Sequence, residues 1–271
     1  MDVPFRPAAK QVIGRNVRIE AGARIHVTER LEIGDGTIVR RGALVEGRSV
    51  VLGRECWIDE EAMIGGGSVF EWQSELRAGD FLHLGRYSHV NAARHVTLGS
   101  EVGVGIGSRI FTHGAYLSAY EGYPARFEQV RIGDRVWLPN ALVNPGVTIG
   151  HDVVVAAMSL VNHDLPSGCF AAGIPARVLR QNAFPRKITL AEKKAIVGRV
   201  NATLKSHYVL EDDRLVVPSE GARKPTIFNL RERTIEGPAH AETERLKNQL
   251  RRLGIRFRYS NVEGSYERWP S

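Results

Sequence analysis

The chain has 271 residues, 43% of them hydrophobic and 25% charged, with 28 glycines and 12 prolines. That size and balance suit a globular protein of one large domain, or one domain with a small appendage. No apolar run reaches the roughly 18 residues that cross a bilayer, and the opening MDVPFRPAAK lacks the apolar core of a secretory signal. Neither a transmembrane segment nor export is therefore expected. The two cysteines, Cys56 and Cys169, have no CxxC spacing. They argue against a disulfide framework or a cysteine zinc site, and a cytoplasmic location is the expectation. The net charge of +7 is unevenly placed. Residues 1–180 hold 19 basic and 19 acidic side chains, and the 18 basic and 11 acidic residues of 181–271 carry the whole excess. A nucleic-acid protein would spread its basic stripe over a working face, so no nucleic-acid partner is expected. The late cluster Arg251, Arg252, Arg256 and Arg258 reads as a solvated or subunit-facing surface, with an anionic partner as the other reading.

From Ile13 onward, aliphatic residues recur every sixth position: Ile13, Ile19, Ile25 and Leu31, then Ile33, Val39 and Val45. The phase resumes at Leu52, Ile58, Ile64 and Phe70, then at Leu84, Val90 and Val96, and at Leu98, Val104 and Ile110. A final run holds Ile132 and Leu138, then Ile149, Val155 and Val161. Glycine often follows the aliphatic residue, as at Gly34, Gly53, Gly85 and Gly133, and a small or β-branched residue stands four places after it. A period of six matches neither the helix nor the alternating strand. It fits short strands broken by tight turns, three units closing a coil of about 18 residues whose aliphatics stack inward.

The stretch from Ile132 to Arg180, with VW, NPGVTIG and AGIPA in that order, resembles the bacterial hexapeptide-repeat acyltransferases, in particular the galactoside and xenobiotic acetyltransferase branch. The weaker repeat extends the resemblance back to about Ile13, over some two-thirds of the chain. The resemblance implies an all-β domain, a left-handed parallel β-helix, over residues 1–180, with a small α/β appendage over 181–271. It also implies a homotrimer with active sites between subunits and acetyl-CoA as donor. Three details depart from the pattern. Leu138 and Ile149 are eleven residues apart rather than twelve, Pro139 replaces a usual glycine, and His163 stands where lysine is common.

The repeat stops between Ile110 and Ile132, leaving an inserted loop at 111–131, and long insertions in compact domains are commonly functional. His113 sits at its mouth in the sequence FTHGAY. In the resembling enzymes a histidine near this loop is the general base, and that role carries to His113. The chemistry requires such a group. A sugar hydroxyl does not ionise at neutral pH, whereas an imidazole of pKa about 6.5 can take its proton during attack on a thioester. Tyr116, Tyr120, Tyr123 and Arg126 either form an acceptor pocket or pin the loop to a neighbouring subunit. By the resemblance, Trp137, Asn140, Ala157 and Ser159 line the donor groove, and Pro175, Arg177 and Arg180 meet the adenosine phosphates. His83, His89 and His95 are six apart and so fall on different faces of a three-sided coil, and no metal is expected.

In the tail, Thr189 and Glu192 form a capping box for a helix over 190–205, which is expected to cap the open end of the solenoid. Short strands are expected at 215–217 and 226–230, a second helix over 239–253 closed by Gly254, and a strand at 255–259. The implied function is O-acetylation of a carbohydrate hydroxyl. The alternatives are N-acetylation of an amino sugar, acetylation of an antibiotic, a metal-dependent hydratase of the carbonic-anhydrase kind, and a non-catalytic scaffold.

Overall fold

A computed structural model describes residues 8–219 and 224–269. These residues fall into two compact units, Met1–Arg186 and Lys187–Ser271, so the division lies six residues beyond the one expected from the repeat. The described residues are mostly β, with two α-helices, α1 (Leu190–Leu204) and α2 (Ala241–Arg252).

In the coils of the first unit the strands pair in parallel, and each stretch of chain returns to lie beside its own predecessor. Three ladders result. In the first, Ile13 pairs with Ile33, Ile33 with Leu52, Leu52 with Ala78, Ala78 with Leu98, Leu98 with Ile132 and Ile132 with Ile149. The second runs through Ile19, Val39, Ile58, Leu84, Val104 and Leu138. The third runs through Ile25, Val45, Ile64, Val90, Ile110, Val143 and Val161. The long strands Arg24–Ile33 and Leu44–Leu52 pass from the third ladder into the first without a break.

The inward residues are the ones the six-residue phase selects. Val39, Val45, Ile58, Ile64, Leu84, Val90, Val104, Ile110, Leu138 and Val155 are all fully buried in one core. The small residues four places after each aliphatic also point inside, as at Thr37, Ala43, Ala62, Ser108 and Val153. Where they carry a hydroxyl, it can tie one coil to the next, although that of Ser88 has no partner. Ser108 Oγ donates to Leu138 O at 2.6 Å and accepts from Ala141 N at 2.9 Å. Gly34 shows why glycine follows the aliphatic: a Cβ there would stand 2.4 Å from the carbonyl carbon of Gly53 on the next coil. The one-residue shortfall falls in the turn Pro139–Ala141, so Val143 rather than residue 144 takes the next inward place.

The phase fails at both ends of one stretch. Ile13 and Ile19 are partly exposed because no described coil precedes theirs. Phe70 is no core residue; it lies exposed on a second insertion, residues 65–75, and leans on the His26 ring. The coil resumes at Leu76, which pairs with Val50, 26 residues earlier. A bulky residue six places after Ile64 imitates the repeat, while the triplet Gly65-Gly66-Gly67 has already led the chain out of the coil.

The second unit is a five-stranded antiparallel sheet, ordered Arg214–Val217, Thr226–Asn229, Thr234–Pro238, Ser265–Arg268 and Tyr259–Val262. The capping box at Thr189 and Glu192 is present. The buried residues of α1, Val197 and Val200, belong to this unit's own core with Leu215, Phe228, Ile235, Leu246, Leu250 and Tyr266. Two strands were not expected. Thr234–Pro238 contains the Gly-Pro pair that reads as a turn. Ser265–Arg268 closes a tight hairpin through Glu263 and Gly264, both at positive φ. The strand expected at 255–259 begins only at Tyr259; Ile255 to Arg258 approach it irregularly, with Phe257 buried.

Two substitutions test the phase. Ile64→Ala should cost about 2–5 kcal/mol through lost burial and a residual cavity. Phe70→Ala should cost less than about 1 kcal/mol. Denaturant unfolding of both variants measures the difference, and equal losses would place Phe70 in the core.

Candidate functional site

His113 stands where the chain leaves the third ladder, in a two-residue antiparallel pairing with Arg126–Phe127 that folds the insertion into an arm. Its ring stacks on Phe127 at 5.3 Å between centroids. His113 Nδ1 lies 2.8 Å from Asn91 Oδ1. The orientation of the Asn91 amide is set by its surroundings, because its Nδ2 donates to two carbonyls, Gly65 O at 3.2 Å and Gly67 O at 3.1 Å. Its Oδ1 also accepts from Ala93 N at 3.3 Å. An amide oxygen can only accept, so His113 Nδ1 carries a proton, and in the neutral ring Nε2 is the atom with the lone pair. Thr112 completes the cluster: its hydroxyl accepts from Arg94 N at 3.1 Å and lies 2.9 Å from Asn91 Oδ1.

The second insertion, residues 65–75, holds this arrangement from outside. A Cβ on Gly66 would stand 3.1 Å from His89 Nε2, and one on Gly67 would stand 3.4 Å from His113 Nε2. Only a glycine run lets the backbone come close enough to offer both carbonyls to Asn91. The loop is also tied by Glu71, which accepts from Arg94 at 3.0 Å. Hydrogen bonds from Arg94 and from Ser68 hold the Glu71 carboxyl below the usual carboxylate range. Arg94 in turn lies over the Phe127 ring at 4.6 Å. Sequence reading missed Asn91, Thr112, Phe127 and Glu71. A signal did exist for Asn91, since it fills the place after Val90 where Gly65, Gly85 and Gly99 follow their own aliphatics.

The remaining sequence candidates separate into two groups. Asn140, Ala157 and Ser159 lie on the corner between the second and third ladders, on successive coils. Asn140 donates to Ile106 O at 3.1 Å, Met158 N donates to Asn140 O at 2.8 Å, and Gly173 N donates to Ser159 Oγ at 3.0 Å. The hairpin through Ile174-Pro175 therefore joins the same corner. Arg177 and Arg180 lie on its return strand, exposed, with Arg180 over the Phe170 ring at 5.2 Å. Trp137 sits on the flat of the second ladder, its indole over Gly103 of the preceding coil. The corner also exposes Ile106, Met158 and Ile174, an apolar edge flanked by cations.

His113 lies on the other side of the third ladder from this corner. Gly107 and His113 are separated by six residues of near-extended chain, a span of up to roughly 20 Å. Within one chain the two groups face different edges. On the arm, Tyr116 and Tyr120 are fully exposed, Tyr123 is half exposed, and Arg126 is engaged with Glu128 at 2.8 Å. The three histidines fall on different sides: His83 on the second ladder, His89 on the third, His95 just before the first. Among the described residues no group of three or more His, Cys, Asp or Glu side chains could hold a metal ion, and no helix is long and apolar enough to cross a membrane.

No family model matches the chain. Over 53 residues it is 45% identical to the galactoside O-acetyltransferase of Escherichia coli (strain K12), covering 19% of this chain and 26% of that protein. Over 77 residues it is 32% identical to a chloramphenicol acetyltransferase of Klebsiella aerogenes, covering 28% and 36%. The chain spans less than half the length of the curated relatives it matches. Among solved structures it is similar to AntD, an N-acyltransferase from Bacillus cereus in complex with dTDP and 3-hydroxybutyryl-CoA. That likeness is at 19% identity over 72% of this chain and 89% of that one, with a TM-score of 0.46. It is also similar to the polySia specific acetyltransferase NeuO, at 18% identity over 72% and 98%, with a TM-score of 0.40.

The tautomer is open to direct measurement. Nitrogen-15 spectra of the neutral His113 ring should show the Nδ1–H form, and Asn91→Ala should return it to a mixture. The Glu71–Arg94 tie has a defined acid limit. The folded-state pKa of Glu71 is lowered, so its contribution is full above the unfolded value of about 4.3 and is lost as pH falls through the lower folded value. Amide exchange over residues 65–75 should therefore quicken in that acid window, and Glu71→Gln should remove the pH dependence.

Proposed function

The chain belongs to the hexapeptide-repeat acyltransferase superfamily, on its galactoside and xenobiotic acetyltransferase branch, and from that membership we propose an acetyl-CoA-dependent O-acetyltransferase of a carbohydrate hydroxyl. The observation that carries the reading is the Nε2 lone pair of His113, left available because the Asn91 amide is oriented by the Gly65 and Gly67 carbonyls. The three-ladder unit is then a left-handed parallel β-helix.

In this reading His113 Nε2 accepts the proton of the acceptor hydroxyl as its oxygen attacks the thioester carbonyl. The bond to sulfur breaks, and the imidazolium returns the proton to the departing thiolate. Asn91 Oδ1, accepting from Nδ1–H, stabilises the positive ring between those events. Asn140, Ala157, Ser159 and the Pro175 hairpin would line the pantetheine arm, and Arg177 and Arg180 would meet the phosphates through their planar forks. Because His113 and that corner flank the third ladder on opposite sides, each site would pair the base of one subunit with the donor corner of its neighbour, in a homotrimer.

Coenzyme A at 100 times its Kd should stabilise the protein by about 2.7 kcal/mol, read as a saturable rise in Tm. His113→Ala should lower kcat by roughly 10²–10⁴-fold with that rise unchanged; wild-type turnover in this variant would exclude the base assignment. The subunit arrangement has its own test. His113→Ala and Ala157→Trp, each inactive alone, should recover about a quarter of wild-type activity when unfolded and reassembled together, the chance of pairing an intact base with an intact corner. No recovery would mean a site within one chain.

A further inference from the structure

We propose that the groove beside His113 is the acceptor subsite for a sugar bearing an anionic group, with Arg131 as the counter-ion, an inference that rests on the carbohydrate reading above. The groove holds about 550 Å³ and lies between the 65–75 loop, the arm and the first ladder, with Trp72, Arg94, His95, Phe127, Glu128 and Arg131 in its lining. Phe127 forms its wall on the side of the base, because that same ring stacks on His113. The groove and the base thus share Phe127 as a common neighbour.

Its charges are almost all spent. Arg94 is held by Glu71 at 3.0 Å, His95 faces Glu75 at 3.5 Å, and Glu128 is neutralised by Arg126 at 2.8 Å. Among the described residues lining the groove, Arg131 alone is a cation with no carboxylate partner, and it is exposed. The register places Thr97 on the rung before it and Thr148 on the rung after it, both exposed, at the usual strand spacing of about 4.8 Å. The guanidinium fork of Arg131 matches the geometry of a carboxylate or a phosphate group. Trp72, 78% exposed on the 65–75 loop, supplies the flat apolar face on which a sugar ring stacks.

The reach agrees with such a ligand. Four residues separate Phe127 from Arg131, at most about 14 Å of extended chain. An anionic group on Arg131 and a hydroxyl at His113 could therefore belong to one short oligosaccharide. A free cation at that distance contributes to acceptor selection by removing the penalty of burying an unpaired charge, which neutral sugars do not face.

Direct binding tests this independently of turnover. Calorimetry would compare 4-nitrophenyl β-glucuronide, the matching glucoside 6-phosphate and the neutral glucoside on wild-type protein and on Arg131→Gln. The expected result is at least tenfold tighter binding of one or both anionic glycosides, lost in Arg131→Gln, partly restored in Arg131→Lys, and screened by salt. Preference for the glucuronide alone identifies a carboxylate ligand, and preference for the phosphate alone a phosphorylated one. Equal binding of all three, no binding of any, or an anion preference that survives Arg131→Gln overturns the proposal. If the anionic glycosides bind as expected yet no acetyl group is ever transferred from acetyl-CoA, the subsite stands and the acetyltransferase reading fails.

Discussion

Every feature of the first unit depends on one constraint: each coil must hydrogen-bond to the coils on either side while filling a narrow shared interior. Backbone pairing is parallel and in register, so a residue type at one place in a coil is stacked on its equivalents above and below. Inward places accept only aliphatic and small side chains, because the interior is closed on three sides. Some of the hydroxyls inside it bridge backbone groups of adjacent coils, as Ser108 does, while that of Ser88 is buried without a partner. An unpaired polar group there would carry its full desolvation penalty.

A scaffold this regular makes irregularity informative. The two long excursions, at 65–75 and 111–131, leave the coil near the same edge and meet at His113. One supplies the histidine and its stacking partner Phe127; the other supplies the carbonyls that orient Asn91. Neither builds the cluster alone. Asn91 itself belongs to the rigid coil, buried, so the ring is referenced to a ladder rather than to a mobile loop. This arrangement suits a group that must hold one tautomer in one direction.

The second unit follows different rules. It packs two helices and an antiparallel sheet around its own core, with Asp213 gripped by Lys193 and Arg231, both at 2.7 Å. Those two cations hold the Asp213 carboxyl below its usual range. The terminal segment is docked: Trp269 Nε1 donates to Tyr259 O. Residues 187–271, with 17 basic and 11 acidic side chains, carry most of the chain's net charge of +7.

The sequence by itself determined the coil, its inward residues, the insertion at 111–131, and the capped start of α1. Each of these is written in local spacing: a six-residue phase, or a threonine three places before a glutamate. The phase misled at Phe70 because spacing records where an apolar residue could point, not whether the chain is still in the ladder. His113 was legible from its place at a break in the repeat. Asn91 was not, being 22 residues away and related to the histidine only when two coils lie side by side. Only the tertiary structure decided the tautomer, because it rests on two carbonyls from a third segment. The separation of the corner that holds Asn140, Ala157 and Ser159 from His113, across the third ladder, was likewise decided in three dimensions. Strands of the second unit such as Thr234–Pro238 and Ser265–Arg268 gain their pairing from neighbours distant in the chain, and four-residue stretches carry too little local pattern to announce it.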